Sequence, residues 1–163
     1  MKVLVRRAKE SDFAHLYMLF QELDSYHVRM HPEIFQPFKG DPRPRKLLKS
    51  IIYDDAKILL VAELNSEVIG FANGYITSAP NLPMFKPKTI GYIENICVTK
   101  AKRRLGAGRS LYDQLFNWFK GKEISEIELT VYQNITPAIE FYKKMGFECI
   151  KLTMSLNANR NNT

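Results

Sequence analysis

Cysteine is scarce in this chain. There are two, Cys97 and Cys149, far apart and in no metal-ligating spacing. That pattern argues against a bound metal and for reduced, buried thiols in a cytoplasmic protein. Long apolar runs are missing as well. None approaches the ~20 residues of a membrane span. The opening MKVLVRRAKESD has neither the apolar segment nor the small-residue cleavage site of a secretory signal. Repeats, low-complexity blocks and linkers are absent too. Acidic residues are the minority charge, 17 against 24 Lys plus Arg, for a net charge of +7. Such a balance favours anionic partners. The remaining composition, 45% hydrophobic and 25% charged over 163 residues, suits one globular domain with a proper core.

Two common nucleotide loops are also missing, and their absence narrows what the segment Ile90 to Lys120 can be. It reads IGYIENICVTKAKRRLGAGRSLYDQLFNWFK. Strand formers fill Ile90 to Val98. A basic, glycine-bearing turn covers Lys100 to Gly108. Apolar residues then recur with helical period at Leu111, Leu115, Phe116 and Phe119, before Gly121. A Walker A loop would need Lys and Ser/Thr directly after its last glycine, but Arg109 and Ser110 stand there. A dinucleotide fingerprint would need a third glycine where Leu111 stands. What is left is a strand, a Gly-rich turn and a helix N-terminus, a geometry suited to phosphate. The basic cluster Lys100, Lys102, Arg103, Arg104 and Arg109 has no interleaved aromatics, so a small phosphate ligand fits better than nucleic acid.

Along the rest of the chain, Val3–Arg7 reads as a short strand. Ser11 is expected to cap a helix with its stripe at Phe13, Leu16, Phe20 and Leu23. Asp24–Arg45, with four prolines, reads mostly as loop, and Arg45–Tyr53 as a second helix. His27 and His31 have a spacing that binds metal on a helix, but Pro32 follows and no third ligand is near. No metal is expected. Lys57–Leu64 and Val68–Thr77 read as strands joined by a tight turn at Asn65-Ser66. Ser78–Lys88 is a loop and Ile127–Val131 a strand. Thr136 is expected to cap a helix with Pro137 in its first turn, apolar residues Ala138, Phe141, Tyr142 and Met145, and Gly146 at its end. Phe147–Leu156 is expected as the last strand and residues 157–163 as a polar, flexible tail. The order argues for a mixed α/β sheet.

Two stretches carry a family resemblance. Arg103-Arg104-Leu105-Gly106-Ala107-Gly108, of the form RxxGxG after a strand, resembles the acetyl-CoA pyrophosphate loop of the GNAT superfamily of N-acetyltransferases. LTVYQNITPAIEFYKKMGF, Leu129 to Phe147, is similar to that family's second signature, Asn-x-x-Ala-x-x-Phe-Tyr-x-x-x-Gly-Phe. Ala138, Phe141, Tyr142, Gly146 and Phe147 match it in spacing. There is one departure. Ile135 stands where the family has Asn, and Asn134 lies one residue earlier.

The resemblance implies a single-domain α/β fold over residues 1–156, with a mixed, mostly antiparallel sheet flanked by about four helices. It implies acetyl-CoA as co-substrate and transfer of its acetyl group to a primary amine by direct attack in a ternary complex. Glu94 is the implied general base and Tyr142 the implied general acid. Ile96, Cys97 and Val98 would offer backbone to the pantetheine arm. Arg103, Arg104, Leu105, Gly106, Ala107, Gly108, Arg109 and Ser110 would surround the pyrophosphate. Asn134 would replace the missing pantetheine contact. On strand alternation, Tyr92, Glu94, Ile96 and Val98 should share one face, with Ile93, Asn95 and Cys97 on the other. Glu94 would then be a lone carboxylate in a central strand, costly to bury unpaired. The expected partner is an amine-bearing acceptor, with neither a membrane nor nucleic acid, and a homodimer is open. An acyltransferase for another acyl-CoA, and a non-catalytic CoA- or nucleic-acid-binding module, are the alternatives.

Overall fold

The computed structural model describes residues 2–158. Its contacts divide it into two compact units, Met1–Thr130 and Val131–Thr163, and each is described on its own. The expected tail lies largely outside the described residues, which end at 158.

The first unit is a five-stranded sheet: β1 Leu4–Arg7, β2 Lys57–Leu64, β3 Glu67–Ser78, β4 Thr89–Val98 and β5 Glu126–Leu129. The strands lie in sequence order. Every pair is antiparallel except β4–β5, which is parallel. Helices α1 (Phe13–Met30) and α2 (Arg45–Ile52) pack on one face, and α3 (Ala107–Gly121) packs on the other. This is the expected mixed, mostly antiparallel architecture. The fourth helix, α4 (Thr136–Lys144), belongs to the second unit.

Each face has its own core. On the α1 side, Phe20 of α1 meets Phe71 of β3 at 4.3 Å between ring centroids, within a cluster that includes Leu16, Val61 and Cys97. On the α3 side, Leu111, Leu115 and Phe119 are fully buried. Phe119 packs closely on β4 because Gly91 leaves it room. At the sheet edge, Arg6 makes a two-pronged bond to Asp12 (2.7 and 3.0 Å) and reaches Glu63. The Arg6 guanidinium holds the Asp12 carboxyl below the usual carboxylate range.

Several boundaries differ from expectation. Ser11 does not cap α1; it lies in a 3₁₀ turn, Glu10–Asp12, and the helix begins after Asp12. The Asp12 carboxylate instead accepts from the Lys9 N–H at 2.8 Å. Helix α1 also runs on to Met30, so Asp24–Met30 is helix rather than loop. It stops at His31 (φ −141°, ψ 61°), where Pro32 disfavours the helical conformation of the residue before it. The hairpin turn is as expected, with Asn65 and Ser66 both left-handed (φ 51° and 64°), as a type I′ turn requires.

In the second unit, Ile135 is the residue flanking the start of α4, and Thr136 is already helical. The helix ends in a Schellman motif. Gly146 is left-handed (φ 92°), its N–H reaches Lys143 O at 3.0 Å, and the Phe147 N–H reaches Tyr142 O at 3.1 Å. The Tyr142 and Phe147 rings meet edge-on at 5.6 Å beneath it. The expected strand Phe147–Leu156 does not form. No strand follows β5 among the described residues. The alternating Ile150, Leu152, Met154 and Leu156 are exposed, 74–91%. Alternation suits a sheet surface, but a strand also needs a neighbour to receive its hydrogen bonds.

A β-carbon at Gly91 would stand 2.6 Å from Phe119 Cδ1, inside van der Waals contact with a ring that has nowhere to go. Gly91→Ala is therefore expected to cost about 1–3 kcal/mol, the usual range for overpacking. Urea unfolding should show a lower midpoint with an unchanged slope.

Candidate active site

The site is built around one irregularity in β4. Asn73 of β3 pairs with Asn95, while its neighbour Gly74 pairs with Ile93. Glu94 is left opposite no residue, so it is the extra residue of a β-bulge. A bulge reverses the alternation beyond it. Tyr92 faces the α1 side with Tyr75, its cross-strand partner, and the two rings stack at 5.2 Å. Past the bulge, Asn95 and Cys97 face that same side, opposite Asn73 and Phe71. Gly91, Ile93, Ile96 and Val98 face α3. This corrects the expected grouping of Tyr92 with Ile96 and Val98, because uniform alternation holds only for a strand without an extra residue.

Glu94 is exposed, not buried in a central strand. The cost of desolvating a lone carboxylate therefore does not arise. What fixes it is a hydrogen bond from Asn73 Nδ2. Asn73 is 3% exposed, and its oxygen accepts from Asn95 Nδ2 at 3.0 Å. Nearby, Tyr92 donates to Thr130 Oγ1 at 2.7 Å. The Tyr75 phenol is raised above its ordinary value, first by burial and then by Tyr92 and Glu94. The sequence reading passed over Asn73. Its signal was a single carboxamide in the apolar run VIGFANGYI.

Beyond the bulge, β4 loses its outer neighbour. The β5 pairing ends at Ile93↔Leu129, so Asn95–Val98 has strand pairing only on the β3 side. The chain then enters the basic turn. Glu22 of α1 shapes this turn: its carboxylate accepts from Thr99 Oγ1 and the Lys100 N–H, both at 2.7 Å, with Arg103 at 3.7 Å. Arg103 Nε also donates to Val98 O at 3.0 Å. That bond engages one of the three backbone positions expected to meet the pantetheine arm. Nothing in the helical pattern around Glu22 foretold its role.

Arg104 and Gly106 both adopt left-handed backbone, φ 64° and 82°. A β-carbon on Gly106 would meet nothing within 4 Å, so the turn is an open cradle. Helix α3 starts at Ala107, which is 2% exposed and anchors it, and its first turn closes with the Ser110 N–H on Gly106 O at 3.0 Å. The N–H groups of Ala107, Gly108 and Arg109 are thus at the helix N-terminus without intrahelical acceptors. Leu105 is half-exposed. Arg109 bonds Asp113 one turn on, at 2.8 and 3.0 Å, an exposed pair that an anion can compete with.

This arrangement fits acetyl-CoA. A free strand edge matches the amides of a pantetheine arm, and the open turn with its N–H groups and arginines matches a pyrophosphate. In the second unit, Ile135 is buried, its hydrocarbon side chain offers no amide, and its backbone carbonyl accepts from the Ala138 and Ile139 N–H groups, both at 3.1 Å. Asn134 is exposed. Burial pushes the Tyr142 phenol up to about 12.

A family model described as the acetyltransferase (GNAT) family matches residues 3–147. The chain belongs to that family of enzymes. A curated relative from Sulfurisphaera tokodaii, an N-alpha-acetyltransferase, is 33% identical over 97 residues. That match takes in 56% of this chain and 57% of the relative, so the chain spans little more than half of that relative's length. The GNAT fold is also that of solved structures. A tetramutant of the BH1408 protein from Bacillus halodurans superposes with a TM-score of 0.87 at 24% identity, covering 94% of this chain and 99% of the other. The aminoglycoside N-acetyltransferase AAC(6')-Iy, in complex with CoA, superposes at 0.73 with 17% identity, covering 96% and 94%.

The thiols part ways. Cys97 is buried as expected, and burial raises it to about 12, so it stays protonated and inert. Cys149 is exposed, contrary to expectation, because the segment around it pairs with no strand. Among the described residues, no group of three or more His, Cys, Asp and Glu is placed to hold a metal ion. His27 stacks on Phe35 at 5.4 Å, and burial lowers its pKa. Titration of the native protein with a disulfide reagent at pH about 8 should release one equivalent of chromophore, from Cys149. Denaturation should release the second.

Proposed function

We propose that this protein is an acetyl-CoA-dependent N-acetyltransferase that acetylates a primary amine by direct attack in a ternary complex. The observation that carries the reading is the course of β4. Within ten residues it presents an oriented carboxylate at a bulge and then an edge free of β5. It leads directly into a cationic turn at a helix N-terminus.

Bound acetyl-CoA would supply an acyl group activated as a thioester. Glu94 takes the proton of the acceptor ammonium, directly or through water. The backbone of Ile96, Cys97 and Val98 holds the pantetheine arm, while the side chain of Cys97 stays in the core. Arg103, Arg104 and Arg109, with the N–H groups of Ala107, Gly108 and Arg109, hold the pyrophosphate. Leu105, Gly106 and Ser110 shape that turn, and Asn134 stands in for the family Asn. Tyr142 acts as the acid. With its pKa near 12, the phenol keeps its proton at neutral pH and above. The α-amino group of a polypeptide is the first acceptor to test, given the name of the Sulfurisphaera relative. Aminoglycosides come second. Two free cysteines suit a reducing, cytoplasmic setting. No helix among the described residues is long and apolar enough to cross a membrane.

Acetyl-CoA should raise the melting temperature by mass action, and oligonucleotides should not. A thiol-release assay across peptide α-amines, aminoglycosides and polyamines should identify the acceptor. Glu94→Gln should lower turnover by about 10²-fold and remove the acid limb of the pH–rate profile. Wild-type rate and profile in that variant would return Glu94 to a structural role. Tyr142→Phe should also lower turnover by about 10²-fold, while leaving acetyl-CoA affinity intact. Because the raised pKa keeps the phenol protonated up to about 12, the loss should be even from neutral pH up to about 10. Normal turnover with a clearly lower melting temperature would assign the hydroxyl to packing.

A further inference from the structure

We propose that Asn73 is a positioning residue for Glu94, itself locked by Asn95, so that two side-chain amides aim the carboxylate. The inference rests on the reading of Glu94 as the base.

Asn73 is an expensive residue where it stands. It is 3% exposed in the middle of β3, between Ala72, which is fully buried, and Gly74. A buried carboxamide is tolerated only when its donors and acceptor are satisfied. An apolar side chain would fill the place without that demand. The groups that satisfy it are the carboxylate of Glu94 and the amide of Asn95.

The direction of these bonds is fixed by chemistry. An ionised carboxylate only accepts, so Asn73 must turn its NH₂ toward Glu94. Its oxygen then points to Asn95, which donates at 3.0 Å. The backbone enforces the same order. Glu94 and Asn95 are consecutive, and consecutive residues of a regular strand face opposite sides. Both reach the one side chain of Asn73 because Glu94 is the bulged residue. The bulge, the buried amide and the locking amide therefore form one device.

Its effect is on orientation. A free exposed glutamate spreads over many rotamers. Here Oε2 accepts from Asn73, while the residue as a whole is exposed. Tyr75 and Tyr92 are titratable neighbours on this side of the sheet. A base held in one pose abstracts a proton without first paying for its own ordering.

Three variants test this, with Glu94→Gln as the arm for the base itself. Asn73→Asp keeps the shape but replaces the donor with a second carboxylate. It should lower kcat about tenfold or more and move the acid limb of the rate profile to higher pH, since adjacent carboxylates resist ionising together. Acetyl-CoA affinity should stay within about twofold. Asn95→Ala, which leaves the Asn73 oxygen without its donor, should give a smaller loss in kcat in a folded protein with a modestly lowered melting temperature. The double variant Glu94→Gln/Asn95→Ala should be no slower than Glu94→Gln, because Asn95 acts only through the carboxylate.

If Glu94→Gln keeps the wild-type rate and profile, the base reading falls and takes this inference with it. If Glu94→Gln loses the limb while Asn95→Ala and a folded Asn73→Asp keep kcat and profile, the base stands and the positioning role is overturned. If Asn73→Asp does not fold, the Asn95 cycle decides: an additive loss in the double variant overturns the proposal, and a non-additive one supports it.

Discussion

One inserted residue governs the working half of the sheet. Without the bulge, β4 would alternate evenly from Tyr92, so Glu94 would stand directly opposite Asn73 and Asn95 would turn toward α3, away from it. With it, the strand changes face partway along its length. The same strand gives Ile93 to the α3 core and Cys97 to the α1 core. Gly74 is what allows this. Its absent side chain lets the Tyr92 carbonyl come within 2.6 Å of where a β-carbon would stand. The carboxylate is thereby kept at the surface while both cores remain closed. A charged group reaches solvent from a central strand without a buried-charge penalty, because the backbone moved rather than the charge.

The cationic turn depends on packing in a different way. Its arginines are exposed, and an isolated RxxGxG turn would be loose. Its shape is held by Glu22, a residue of the helix on the opposite face from α3. Gly106 adds what a side chain would strain, a left-handed step directly before the helix. The positive charge of the chain therefore contributes little to the fold here.

Much of this was legible in the sequence. The strand–turn–helix of Ile90 to Gly121, the Asn65-Ser66 hairpin and the Gly146 stop follow from local rules, where a few residues determine their own backbone. The RxxGxG turn and the second signature were readable for the same reason. What was not legible depends on partners distant in the chain. The bulge at Glu94 exists only in the register against β3, and a period of two cannot show an extra residue. Asn73 gave no local sign of its role, because its carboxylate partner lies 21 residues away. Asp12 displaced Ser11 at the start of α1 because Arg6 and the Lys9 N–H converge on it. The alternation from Ile150 to Leu156 met the pattern of a strand and lacked a pairing neighbour.

The Glu22 anchor also bears on how such a loop could be transplanted. The residues RRLGAG look like a portable cassette, a hexapeptide that could be exchanged between relatives or grafted onto another strand–helix junction. Its anchor, however, lies some eighty residues upstream in another element. A graft of the hexapeptide alone would carry the glycines and the charges but leave behind the carboxylate that folds Thr99 and Lys100 into place. The smallest transferable unit is discontinuous: the turn together with the one turn of α1 that bears Glu22.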